Sequence, residues 1–263
     1  MSLFLIIAYL FFLGSIFGWI LELFYRKFIS AVNPERKWIN PGFCVGPYVP
    51  LYGFGLVILY LLAKIGKDSG FDATVLSHII LFAIMAIFMT VIEYIAGIIG
   101  VRFLKVRLWD YSKEWGNIQG IICPKFSMYW SILGAVYYFL IHPHILHALE
   151  WLSQNLAFSF VIGFFFGVFT IDVTYSANLV AKLRKFAIDN EIIIRYEHLK
   201  AHIGRIHERY ELKSNFILPF SSKKFSLHEL LVDAYEVVED IKEKISIELG
   251  GNTEDENHDE EEK

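Results

Sequence analysis

Three carboxylates stand inside long apolar stretches of this chain: Glu22, Glu93 and Asp172. An acid in hydrocarbon costs at least about 2.5 kcal/mol. Such residues are rare, face a bundle interior or a wet path, and commonly handle ions or protons. Their distance from basic residues separates them. Glu22 precedes Arg26 by four residues, so an ion pair along one helix can neutralise it. Glu93 lies nine residues before Arg102 and Asp172 ten before Lys182, which on a helix is about 13 and about 15 Å. Neither has a basic partner on its own helix. Each needs a partner from another helix, a proton or a bound cation. The three are read as lining a polar intramembrane path, the alternative being that they only hold helices together.

The elements that must position them follow from hydropathy. Hydrophobic residues make up 55% of the 263 residues and aromatics 17%, and mean hydropathy is +0.45. A soluble domain of this length is rarely so apolar. Five spans are expected, at residues 3–24, 47–63, 75–99, 126–141 and 156–179, most of them near the roughly 20 residues that cross a bilayer. The second and fourth are short and open on prolines (Pro47 and Pro50; Pro124), so each reads as little tilted or as starting with a re-entrant turn shielded by protein. The first run is longer than a signal-peptide core and reads as a retained helix. The fold class expected is an all-α, polytopic membrane helix bundle.

Charge sets the orientation. Lys and Arg gather in the first loop (Arg26, Lys27, Arg36, Lys37), in the third (Arg102, Lys105, Arg107, Lys113, Lys125) and just after the fifth span (Lys182, Arg184, Lys185). These segments share one face if the N-terminus is outside and the C-terminus cytoplasmic. The formal net charge of −4 comes from the last residues, 254–262, which carry seven acids. The rest is slightly basic, with no nucleic-acid surface. Cys44 and Cys123 have no metal-ligand spacing around them and read as small apolar residues. His142, His144 and His147 are interrupted by Pro143 and lack a convincing further ligand. No metal, cofactor or catalytic residue is expected, and no nucleophile–base pair suggests an enzyme.

The first four spans read as a duplicated pair of helices. Residues 42–52 resemble residues 120–130, with Gly42 matching Gly120, Tyr48 matching Phe126 and Tyr52 matching Trp130. A two-span unit gives a parallel repeat about an axis along the membrane normal, which brings both motif loops to the cytoplasmic side. The acids lie on small or polar helix faces: Gly14, Gly18 and Glu22; Ala83, Ala86, Thr90, Glu93 and Gly97; and Asp172 with Ser176. Such faces, like Gly163-x-x-x-Gly167, let helix backbones approach closely in lipid. Trp109 and its neighbours follow a basic, apolar-rich segment that suits the membrane interface, or else Asp110 pairs with Arg102 or Arg107 to shape a cytoplasmic vestibule.

Several motifs carry a resemblance. Residues 18–22 (GWILE), 40–55 (NPGFCVGPYVPLYGFG), Glu93-Tyr94, Trp109-Asp110-Tyr111-Ser112, 117–123 and His142-Pro143 resemble the bacterial membrane proteins grouped as ABC-transporter permeases of type IV. The likeness covers about half the chain, residues 14–145. It implies a membrane transport component and singles out loop residues Asn40, Gly42, Gly46, Pro47, Tyr52, Trp109, Asp110, Tyr111, Asn117 and Gly120. Pro41 and Ile121 stand where that family usually has arginines, and Val101 where it often has an acid, which puts in doubt any role needing those charges. No G-x-x-x-x-G-K-[ST] phosphate loop occurs, so nucleotide hydrolysis would fall to a separate subunit.

Beyond Lys182 two amphipathic patterns follow, one from Ile192 to Tyr210 and one from Leu227 to Ile245, joined by residues 214–224. The expected organisation is a transmembrane domain at 1–182, a cytoplasmic helical hairpin at 183–250 and an unstructured acidic tail at 251–263. Expected partners are the lipid bilayer, a separate nucleotide-binding subunit and a second copy of the chain. The competing function is a non-transporting scaffold or sensor that recruits a soluble partner through its C-terminal helices.

Overall fold

The computed structural model describes residues 2–30, 33–69, 74–209 and 226–235. It is an all-α bundle with five helices long and apolar enough to cross a membrane. Backbone groups have no water to bond with in hydrocarbon, so helices that satisfy their own N–H and C=O are the available solution. Helix α1 (Leu3–Phe28) starts where the Ser2 hydroxyl accepts from the Leu5 amide, and α2 (Pro50–Asp68) starts on a proline, whose missing N–H costs nothing in a first turn. Thr74 and Ser77 form a reciprocal cap at the start of α3 (Val75–Ile98).

All five helical runs end beyond the expected boundaries, at Phe28, Asp68, Leu104, Gln154 and Asp189. Helix α3 continues through a π-helical turn, Ile99–Leu104. Helix α4 (Pro124–Val136) passes through another, Tyr137–Ile141, directly into α5 (His142–Gln154). The fourth span is thus one 31-residue helical run, Pro124–Gln154, and the short fourth span was a misreading. Pro143 falls in the first turn of α5, where the wider π turn before it removes the clash that a proline makes within a regular helix. A short 3₁₀ turn, Leu156–Phe158, leads into α6 (Ser159–Asp189).

Helix α1 packs mainly on α2, and α3 on α4. The α1–α2 seam is the expected small-residue contact. A β-carbon on Gly18 would stand 2.1 Å from Tyr52 Cβ, and one on Gly14 2.7 Å from the Tyr52 carbonyl oxygen. On α3 the buried line is Leu81, Met85, Met89, Glu93 and Gly97, one position round from the expected face, although Thr90 does donate to the Ser127 hydroxyl of α4 at 3.0 Å. Gly163 and Gly167 meet nothing within 4 Å, so the seam expected on the fifth span has no partner among the described residues.

The chain divides into two units, Met1–Glu197 and His198–Lys263. After α6 the first unit closes with β2 (Ile194–Arg195), which pairs in parallel with β1 (Val106–Arg107). Ile194 is therefore in a strand, and α7 (Tyr196–Arg209) begins after it rather than at Ile192. In the second unit His202 Nε2 lies 3.0 Å from Asp233 Oδ2 of the helical residues 227–235, whose start is capped reciprocally by Ser226 and Glu229. The joining residues 214–224 and the acidic tail lie outside the described residues.

Candidate functional site

Each acid ends up in a hydrogen-bonded setting, and the three settings differ. Glu22 accepts from Arg26 Nε at 3.1 Å, the expected pair one turn along α1. Its other oxygen accepts from the Tyr52 hydroxyl of α2 at 2.8 Å. Glu93, only 3% exposed, accepts from the Trp130 indole N–H of α4 at 3.0 Å and from the Tyr111 hydroxyl at 2.9 Å. Among the described residues no basic side chain reaches it. The rings of Tyr52 and Trp130 lie 5.8 Å apart, and the two carboxylates are within electrostatic reach of each other. The two helix pairs thus deliver one acid each to a common polar cluster.

The donors on Glu93 are not equivalent. An indole N–H only donates, so Oε2 must accept, whereas a phenol can donate or accept. Oε1, facing Tyr111, is the oxygen that can take up or release a proton without stranding its partner. Burial first, then the Glu93 and Glu22 carboxylates, hold the Tyr111 phenol well above the usual tyrosine range, so it stays protonated. Its ring stacks on Phe126 at 4.1 Å, which fixes the hydroxyl beneath the carboxylate.

Asp172 is satisfied from a different source. Its oxygens accept from the backbone N–H of Val45 at 3.0 Å and of Gly46 at 2.6 Å, from the Ser176 hydroxyl one turn on at 2.8 Å, and from the Tyr48 hydroxyl. A carboxylate accepting backbone N–H bonds needs no counter-cation. Both amides precede α2, which starts only at Pro50, so neither is committed to a helix hydrogen bond. Pro47 is the centre of a tight turn in which the Tyr48 amide bonds the Gly46 carbonyl at 2.9 Å. A side chain at Gly46 would collide with the Tyr48 ring, 2.5 Å from the β-carbon position.

Two asparagines hold the motif loops. Asn40, 3% exposed, accepts from the Trp19 indole at 2.7 Å and donates to the carbonyls of Cys44 and Val45. Asn117 donates to the carbonyls of Ser112 and Glu114 and accepts from the Gly120 amide at 3.0 Å. Gly42 and Gly120, matched in the sequence, both adopt left-handed backbone, φ +70° and +67°. At Gly120 a β-carbon would also stand 2.4 Å from Arg107 Nη1. Trp109 donates to the Ile121 carbonyl at 2.8 Å.

Asp110 pairs with Arg107 at 2.9 Å and Arg195 at 3.2 Å. Arg107 was one of the two partners expected; Arg102 is not its partner, and Arg195 was missed. Burial pushes this carboxyl up, but the Ser112 hydroxyl and amide, followed by Arg107 and Arg195, outweigh it and leave Asp110 below the usual range. The result is a knot tying the loop after α3 to the segment after α6, beside the β1–β2 pair.

Thus Tyr52, Tyr111, Glu22 and Glu93 come together, Gly46 joins Asp172, and Asn40, Asn117 and Gly120 hold loops. The donors Tyr48 and Trp130 were not recognised as site residues. The signal for Trp130 was its match to Tyr52, since both donate to the acid of their own helix pair. A family model described as "Putative ABC-transporter type IV" matches residues 9–177, nearly all of the membrane bundle. The chain belongs to this family. With five apolar helices it is a multi-pass membrane protein. No curated protein and no solved structure matches it. The family match ends within α6, so the C-terminal segment lies beyond it.

Proposed function

We propose that this chain is the membrane-embedded, permease-like subunit of a transport system, with nucleotide hydrolysis left to a separate subunit, the N-terminus outside and the C-terminus cytoplasmic. Family membership supports the transport assignment, and the Lys and Arg bias of the loops supports the orientation. In this reading Glu93 is the working acid, Glu22 its electrostatic neighbour, and Asp172 a positioning residue that holds the first motif loop. The observation that carries it is Glu93 itself: a buried carboxylate in a span, bonded among the described residues to neutral donors, with one oxygen that can take up a proton while its hydroxyl partner turns to accept. The test is Glu93→Gln in the producing strain. Loss of transport or of the associated growth phenotype at wild-type abundance supports the reading, and unchanged transport rejects it.

A second reading has its own observation. Asp172 is saturated by donors from the chain, as expected of an anchoring device in a scaffold that recruits a partner through its C-terminal helices. Deleting residues 198–263 would then abolish function while Glu93→Gln would not.

A further inference from the structure

The two motif loops share a feature that the polar cluster does not use. Trp38 stands two residues before Asn40, and Trp115 two residues before Asn117. Both asparagines are tied to loop backbone, while both tryptophans are turned outward, 46% and 85% exposed. Among the described residues neither indole N–H has a hydrogen-bond acceptor, and Trp115 makes no ring contact at all. An ordered loop held by three asparagine hydrogen bonds and flanked by left-handed Gly116 and Gly120 therefore displays a large apolar ring with an unused donor.

The position of each ring selects its occupant. Trp38 lies edge-on against Phe24 and Phe28, at 5.8 and 6.3 Å, on the last turns of α1, with Lys27 Nζ 4.0 Å over its face. Phe24 and Phe28 are themselves exposed side chains of a membrane span. Beside Trp115, Gly116 approaches Pro124, the first residue of α4, and Glu114 pairs with Lys125 at 2.9 Å. Trp38 thus continues the exposed apolar face of α1 where that helix meets its loop, and Trp115 stands exposed between two residues that contact the first turn of α4. An indole suits the membrane interface, with its ring in the acyl boundary and its N–H among headgroup acceptors.

We propose that Trp38 and Trp115 are a pair of anchors that seat both motif loops in the headgroup layer of one leaflet, so that the loops ride on the bilayer rather than stand in water. The proposal is independent of whether the protein transports anything. It is tested in nanodiscs by subtracting the tryptophan emission of Trp115→Phe, and separately Trp38→Phe, from that of the wild type. Both side chains are outward-facing, so the variants should fold. The isolated Trp115 signal is expected to lose more than half its intensity when the lipids carry bromine high on the acyl chain, and to change little with aqueous iodide. Strong iodide quenching without any effect of brominated lipid would overturn the proposal and leave the loops open to a soluble protein. If Trp115→Phe does not fold, the same pair of quenchers applied to a fluorophore on Ile118→Cys, at the same loop tip and 52% exposed, decides between the two outcomes.

Discussion

The two helix pairs solve one problem in two ways. In α1–α2 the acid Glu22 is neutralised by Arg26 and receives a hydroxyl from Tyr52. In α3–α4 the acid Glu93 receives an indole from Trp130 and a hydroxyl from Tyr111, with no cation among the described residues. A second difference lies where the loops re-enter. When Gly42 is set on Gly120, α4 starts at the position matching Gly46, whereas α2 starts one turn later, at Pro50. In the first pair the Val45 and Gly46 amides ahead of the late helix start bond Asp172, while in the second the matching stretch from Pro124 is helical and places Phe126 against Tyr111. The first pair is thus the anchored side, and the second holds a buried carboxylate that no basic side chain among the described residues reaches.

The largest effect should come from the anchor. Asp172→Ala leaves the Val45 and Gly46 amides without their acceptor, at about 1–3 kcal/mol for each buried donor. Unfolding in detergent should show the loss, and a change below about 1 kcal/mol would mean that water replaces the carboxylate easily. Next comes the seam. Gly18→Ala overlaps Tyr52 and should cost about 1–3 kcal/mol, while Gly163→Ala, in open space, should stay within about 0.5 kcal/mol. Equal effects at the two glycines would count against the α1–α2 packing described.

The acids themselves sharpen the contrast. Glu22→Gln weakens the hold on a guanidinium whose residue is 9% exposed and should cost about 1.5–3 kcal/mol, as for hydrogen bonds to charged groups. Glu93→Gln keeps an oxygen for Trp130, and Tyr111 can turn to accept from the new amide, so the cost should be below about 1 kcal/mol. The smallest effect belongs to Asp110. Its folded-state value is depressed, so its stabilisation is present above the ordinary aspartate value of about 3.9 and fades as pH falls through the lower folded value. Asp110→Asn should lower the melting temperature slightly at neutral pH, with the gap closing below about pH 4. A gap independent of pH would exclude the charge as its cause.

What could be read from the chain was whatever lies along one helix. The Glu22–Arg26 pair, the Gly14 and Gly18 face, and Asp172 beside Ser176 are all relations one turn apart, and helical periodicity exposes them. What could not be read depends on contacts across the chain. Nothing local says that the amides near residue 45 will reach an acid 127 residues away, or that Arg195 will return to Asp110. Where a partner from another helix, a proton or a cation is expected at Asp172, backbone N–H groups stand instead, and no side-chain pattern reveals those. Periodicity also cannot tell a small face that meets a helix, as at Gly18, from one that meets none of the described residues, as at Gly163.

The claim that divides the two sides most directly is functional. Transport or growth should be compared for Glu93→Gln, Glu22→Gln and Asp172→Asn, each scaled to its abundance in the membrane. The account predicts that Glu93→Gln is inactive at full abundance, while the other two lose activity only in proportion to the protein lost. Full activity of Glu93→Gln at wild-type abundance would contradict it.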